Sequence, residues 1–170
     1  MSQIKAAFFD RDGTLIYDVP FLSNLNDIKL IPSAVHIARL CQQRGYRLFM
    51  VTNQSGVARG LFGEAFVQQA NDVVCSLLAA HGVVLQGVYY CPHHPVDAVL
   101  EHYKKDCLCR KPYPGMLMHA AQTYNIDLKQ SLMFGDRETD WGAGRAAGCT
   151  VWDITQLFAL PPSRYATLLF

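Results

Sequence analysis

Five short apolar runs alternating with four segments of helical period constrain this chain more tightly than any other feature. Residues 5–9 (KAAFF), 47–52 (RLFMVT), 87–91 (GVYYC), 131–134 (SLMF) and 150–154 (TVWDI) read as strands. Between them, residues 33–44, 64–81, 116–124 and 139–147 carry apolar side chains at helical spacing, and Gly45, Gly82 and Gly148 stand where three of these helices should stop. Strands this continuously apolar have to be buried on both faces. The expected fold is therefore α/β, a Rossmann-like three-layer sandwich with a central parallel sheet covered by helices. The 170 residues are enough for one domain spanning 1–170, with a core that needs no staples. Residues after Thr155, with their Pro-Pro break and apolar end, are left unplaced.

Composition narrows the function. The formal net charge is +1 and 17% of residues are charged, so no basic field points to nucleic acid or to a membrane surface. The first residues lack the long apolar region of a signal peptide, and no apolar stretch approaches the roughly twenty residues of a membrane span. A soluble cytoplasmic protein is expected, with a small molecule as partner. Its oligomeric state is not legible, although a monomer is compatible.

Open parallel sheets bind ligands at the carboxyl ends of their strands, and the polar residues of this chain collect there. The first strand runs into Asp10-Arg11-Asp12-Gly13-Thr14, the second into Thr52-Asn53-Gln54-Ser55-Gly56, and the fourth into Gly135-Asp136, while Lys111 precedes a helix beginning near Gly115. A phosphate monoester is dianionic and repels an anionic nucleophile, so a hard cation with oxygen ligands, Mg²⁺, suits carboxylates drawn from several segments. Asp10 can then bind metal and attack phosphorus, giving an aspartyl-phosphate. Asp12, two residues on, points the same way and can protonate the leaving oxygen and then activate water. The Thr52 hydroxyl, the Asn53 amide and the Lys111 ammonium would hold the non-bridging oxygens. Singly, each signal has a bland alternative: an Asx turn at Asp10–Asp12, a solvated lysine at 111, a helix cap at Asp136. In this order, each at a strand end, they point together to phosphoryl chemistry.

A second cluster lies between the third strand and Lys111: Cys91, His93 and His94, then Cys107 and Cys109. Three thiolates and one imidazole make a closed tetrahedral Zn²⁺ site of the structural kind, with either histidine able to serve. Its role would be to pin a long loop beside Arg110 and Lys111. Cys41, Cys75 and Cys149 lie on apolar segments and read as core fillers.

The segments FFDRDGTL, VTNQSG, CRKPYPGM and FGDRETD resemble the four ordered motifs of the haloacid dehalogenase-like phosphatases, over nearly the whole chain. The resemblance implies Asp10 as nucleophile, Asp12 as acid and base, Thr52 as the second-motif residue and Lys111 as the third-motif cation. It implies Mg²⁺ on the Asp10 carboxylate, the Asp12 carbonyl and the Asp136 carboxylate, leaves Asp140 open as ligand or outer neighbour, and favours His93 over His94 as the zinc ligand. About forty residues separate Asp12 from Thr52, so no inserted lid domain fits and specificity should rest on loops. Arg11, Asp18, Asn53, Gln54, Ser55, Arg110 and Arg137 are the candidate substrate contacts. The CPHHP and CxCRKPxPGM segments resemble the branch that acts on sugar bisphosphates and histidinol phosphate. A heptose bisphosphate is the expected substrate, although the enzymes for heptose usually have Lys where this chain has Arg137, and histidinol phosphate is the alternative. A DNA 3′-phosphatase lacks its basic face here, and a non-catalytic zinc module would lack one of the catalytic residues that are all present.

Overall fold

Strand β1 (Ala6–Phe9) is buried along its whole length, so it must lie inside the sheet and be covered on both sides. The computed structural model of the protein describes residues 3–170. It joins β1 to β2 (Arg47–Asn53), β3 (Leu85–Cys91), β4 (Leu132–Gly135) and β5 (Thr150–Asp153) in one sheet of order β3-β2-β1-β4-β5, every pairing parallel. Side chains alternate across a strand. Ala7, Phe9, Met50 and Phe134 therefore enter one core, and Ala6, Phe8, Phe49 and Met133 enter the other.

The first core is closed by α1 (Pro32–Gln43) and α2 (Glu64–Ala80), the second by α3 (Gly115–Tyr124) and α4 (Glu138–Ala147). Stacked rings tie the strands laterally, with Phe9 4.7 Å from Phe134 and Phe8 5.3 Å from Phe49 between centroids. The expected three-layer α/β architecture is the observed one, with element ends displaced by a residue or two. Strand β3 begins at Leu85, two residues before expected, because Gln86 interrupts the apolar run on this half-exposed edge strand.

The tail left open by the sequence has a definite place. Ile154, expected to end the last strand, instead begins α5 (Ile154–Phe158), capped by the Asp153 carboxylate, which accepts from the Thr155 amide at 3.0 Å. After the Pro-Pro break, α6 (Tyr165–Leu169) returns to the first core, with the Tyr165 side chain fully buried against His36. Among the described residues no helix is long and apolar enough to cross a membrane.

The strand order fixes where a ligand can bind. β1 has β2 on one side and β4 on the other, so the connections leaving the sheet diverge there and open a crevice at the carboxyl ends. Asp10 emerges into it, and its amide donates to the Phe134 carbonyl at 3.0 Å, tying the nascent loop to β4.

Candidate active site

An open cleft of about 510 Å³ occupies this crevice and is lined by Asp10, Asp12, Asn53, Lys111 and Asp140 among others. At its base Lys111 is almost wholly buried. Its Nζ donates to Asp10 Oδ1 at 2.7 Å and to the Val51 carbonyl at 2.8 Å, and pairs with Asp140 Oδ1 at 2.6 Å. Burial alone would favour the neutral amine, but Asp10 and Asp140 outweigh it and raise the Lys111 pKa above the ordinary lysine value. The backbone of Lys111 is clamped as well. The Asn53 side chain accepts from its amide and donates to its carbonyl, both at 3.0 Å. Asn53, expected at phosphate, therefore also fixes the third-motif lysine.

Asp140, open from sequence alone, has both oxygens committed. Oδ1 takes Lys111, and Oδ2 accepts from the Arg137 amide at 3.1 Å, which caps α4. Gly135 makes room for it, since a Cβ there would meet the Asp140 Cβ at 2.2 Å. Burial, then the Asp10 charge, pushes the Asp140 carboxyl up to about 6, against the pull of Lys111.

Asp10, Asp136 and Asp140 place carboxylate oxygens within 4.8 Å of one another. The Asp136 pKa is raised by burial and by Asp10, with the Arg137 guanidinium opposing. Gathered carboxylates in that condition fit a hard divalent cation. Gly13, at φ +77°, lets the first loop close on them, because a Cβ there would lie 2.4 Å from Asp136 Oδ2.

Asp12 stands apart from that trio. Its Oδ2 accepts from Gln54 Nε2 at 2.8 Å and Arg11 Nε at 3.1 Å, and Arg11 makes a longer 3.3 Å bond to Oδ1. Burial raises the Asp12 carboxyl pKa, with Asp10 adding to it and Arg11 opposing. Arg11, expected at the substrate, is 2% exposed and has its remaining donors on Asn71 Oδ1 at 2.9 Å and Gln54 Oε1 at 2.8 Å. Its guanidinium therefore sits behind Asp12, held by Asn71 of α2 and by Gln54, while Arg11 still belongs to the cleft lining. The Thr52 hydroxyl likewise is buried and accepts from Gln54 Nε2 at 2.9 Å.

At the mouth, Asp18 and Arg137 form a 2.8 Å ion pair across the cleft; Arg59, outside the cleft lining, pairs with Asp97 at 2.6 Å. Ser55 and Arg110 also line the cleft. Arg110 donates to the His93 carbonyl at 3.2 Å, and no carboxylate pairs with it among the described residues.

The cysteine–histidine cluster expected to hold zinc is partly assembled. Cys91, His93 and Cys107 hold ligand atoms within 4.8 Å of one another, with Cys91 Sγ 3.6 Å from His93 Nδ1. Cys109, beside Cys107 in sequence, lies outside that set, and burial and then Cys107 push its thiol pKa up. His94 instead accepts from the Val96 and Asp97 amides at Nδ1, which leaves His93 as the histidine of the cluster. Burial, then the neighbouring Cys107, pushes the Cys91 thiol up to about 12, and three soft or borderline donors around one point fit zinc.

Two residues escaped the sequence reading. Glu64, at the start of α2, accepts from Tyr90 and Tyr103 at 2.6 Å each and so ties the helix to β3 and the cysteine–histidine loop. Asn71 anchors Arg11 from the same helix. Its signal was present in the sequence: a polar residue on the stripe formed by Val67, Ala70, Val74 and Leu78.

Residues 108–153 match the family model described as HAD-hydrolase-like. A D-glycero-beta-D-manno-heptose-1,7-bisphosphate 7-phosphatase of Photorhabdus laumondii subsp. laumondii is 44% identical, over 85% of this chain and 76% of its own length. The alpha-directed 7-phosphatase of the same organism is 37% identical, over 86% of this chain and 80% of its own. The crystal structure of D,D-heptose 1,7-bisphosphate phosphatase from B. bronchiseptica, complexed with magnesium and phosphate, superposes with a TM-score of 0.78 at 31% identity, covering 98% of each chain.

Proposed function

This chain belongs to the haloacid dehalogenase-like hydrolases, among the heptose-1,7-bisphosphate 7-phosphatases, and from that membership we propose that it removes the 7-phosphate of a heptose bisphosphate by way of an aspartyl-phosphate on Asp10. The observation that carries the mechanism is the arrangement around Asp10. Lys111 holds its Oδ1, so Oδ2 is the oxygen left to attack phosphorus. As the new bond forms, the bond from phosphorus to the sugar oxygen breaks, and Asp12 gives that oxygen its proton. Asp12 then takes a proton from the water that hydrolyses the phosphoenzyme, and Asp10 is regenerated. Lys111 at the base of the cleft, and the backbone beyond Thr52, stabilise charge on the transferring group.

Magnesium, held by the carboxylates of Asp10 and Asp136 and the backbone carbonyl of Asp12, would neutralise phosphate charge and let one anion approach another. Asp140 holds Lys111 and caps α4, with both oxygens committed to those tasks. Zinc on Cys91, His93 and Cys107, with Cys109 as fourth ligand, would fix the loop that carries Arg110.

Substrate choice rests on the cleft's cations. Arg137 is neutralised by Asp18, and Arg59, paired with Asp97, lies outside the lining, while Arg110 lines the cleft with no carboxylate against it among the described residues. A guanidinium with open donors suits the second phosphate of a bisphosphate better than the amine and imidazole of histidinol phosphate. The six cysteines are free thiols, in keeping with a cytoplasmic enzyme. The test is phosphate release with Mg²⁺ from heptose 1,7-bisphosphate and from histidinol phosphate. Faster turnover of histidinol phosphate would overturn the substrate assignment and leave the chemistry intact.

A further inference from the structure

We infer that Asn71 is a positioning residue for the general acid: from the middle of α2 it orients Arg11, and through Arg11 and Gln54 it aims the Asp12 carboxyl at the leaving oxygen. The inference rests on the reading of Asp12 as the acid of the phosphatase reaction. The buried face of α2 holds an oddity of packing. Val67, Ala70, Val74 and Leu78 fill that face, and Asn71 sits among them at 4% exposure. A carboxamide in such a place is unfavourable unless its hydrogen bonds are made. Its Oδ1 is used once, by Arg11 at 2.9 Å, and its Nδ2 is buried with no partner among the described residues. Helix packing alone would place an aliphatic residue here, so the one bond it makes is the reason for the amide.

The bond matters because of what the rest of the guanidinium does. Arg11 is a planar fork whose three nitrogens serve three different residues: Nη1 goes to Asn71, Nη2 to Gln54 and Asp12, and Nε to Asp12. Fixing one prong fixes the plane, and with it the direction of the other two. Gln54, oriented by Arg11 at its Oε1, returns its own amide to Asp12 Oδ2 at 2.8 Å. Asp12 Oδ2 thus accepts two short bonds, while Oδ1 accepts only the 3.3 Å contact and keeps a free lone pair. The proton to be delivered belongs on Oδ1. Without Asn71 the guanidinium can turn, and Oδ1 loses its fixed aim.

The test separates aim from simple damage by comparing leaving groups. A sugar alkoxide must be protonated as it departs, whereas nitrophenolate leaves without a proton. The parameter kcat/KM covers steps only through release of that group, and its ratio for two esters is independent of the fraction of folded enzyme. For Asn71→Leu, which keeps the volume and removes the acceptor, the ratio of heptose bisphosphate to p-nitrophenyl phosphate should fall at least ~10-fold below that of the native enzyme. Asn71→Asp retains an acceptor for Arg11 and should hold the ratio within about 3-fold of native. Asp12→Asn should show the same signature as Asn71→Leu, and more strongly. An unchanged ratio in Asn71→Leu, with the signature present in Asp12→Asn, overturns the role of Asn71 alone. Equal loss in Asn71→Asp and Asn71→Leu overturns it as well. An unchanged ratio in Asp12→Asn overturns both this inference and the assignment of Asp12 as acid.

Discussion

Asp10 and Arg110 hold contrasting positions in the cleft, and the contrast sets what each substitution should do. Asp10→Asn keeps an oxygen for Lys111 but removes the anion proposed to attack phosphorus and one carboxylate of the trio. Turnover should fall at least ~10³-fold while the far-ultraviolet circular dichroism stays native. Retention of a tenth of the activity would end the aspartyl-phosphate mechanism. Arg110 touches neither the trio nor Lys111 among the bonds described, so its removal should spare the chemistry. The native enzyme should prefer heptose bisphosphate over histidinol phosphate by at least ~10-fold in kcat/KM, about 1.4 kcal/mol. Arg110→Ala should erode that preference mainly through KM, since a remote phosphate is held alike in ground and transition states. A fall confined to kcat would place Arg110 in the chemistry instead. The sequence marked Arg11, Arg110 and Arg137 as substrate contacts, with Arg110 preferred for the second phosphate. It could not show which were committed elsewhere, because a guanidinium's availability depends on which acceptors the fold brings to it.

At the scale of elements, the cysteine–histidine loop and the start of α2 behave as one unit. Glu64 receives both tyrosine hydroxyls, and those two bonds, Tyr103 first and then Tyr90, lower its carboxyl pKa. A depressed folded-state pKa means the unfolded chain binds the proton more readily. The stabilisation is therefore complete above the unfolded glutamate value, about 4.3, and is lost as pH falls through the lower folded value. Thermal melts of the native protein and Glu64→Gln should differ most near neutrality and converge as the pH falls below the ordinary glutamate value, about 4.3. A constant gap across that window would show that the carboxylate's charge contributes nothing. Cys107→Ser should remove about one zinc per chain by metal analysis and lower the melting temperature, with the catalytic groups still present. Native protein without zinc but with unchanged melting would contradict the cluster's role. The gathering of Cys91, His93 and Cys107 could be anticipated from the sequence because Cys and His are rare and their chemistry is narrow. The Glu64 tie could not, because a glutamate at the first turn of a helix is equally well explained by the helix dipole.

The whole molecule is a sheet between two cores, and its last residues complete one of them. Tyr165 is fully buried, with its ring against His36 and its hydroxyl donating to the Leu160 carbonyl at 3.3 Å. Tyr165→Ala should lower unfolding free energy by about 3 kcal/mol or more in denaturant melts, with kcat unchanged at permissive temperature. A loss under about 1 kcal/mol would mean that α6 only rests on the surface. The sequence by itself determined the five strands, the four intervening helices and the sheet edge where the cleft opens. Those depend on apolar period and on the polar residues at the carboxyl end of each strand, and parallel order then forces the strand ends together. It did not place α6, whose short apolar segment carries too few turns for a period. Nor did it decide which polar groups were committed. Lys111 meets Asp10 across 101 residues of chain, and Arg11 meets Asn71 across 60. Hydrogen-bond satisfaction is a property of what lies within about 3 Å in space. Only the folded chain could therefore hold Arg11 behind Asp12, commit Asp140 to Lys111, and leave Arg110 open to the cleft.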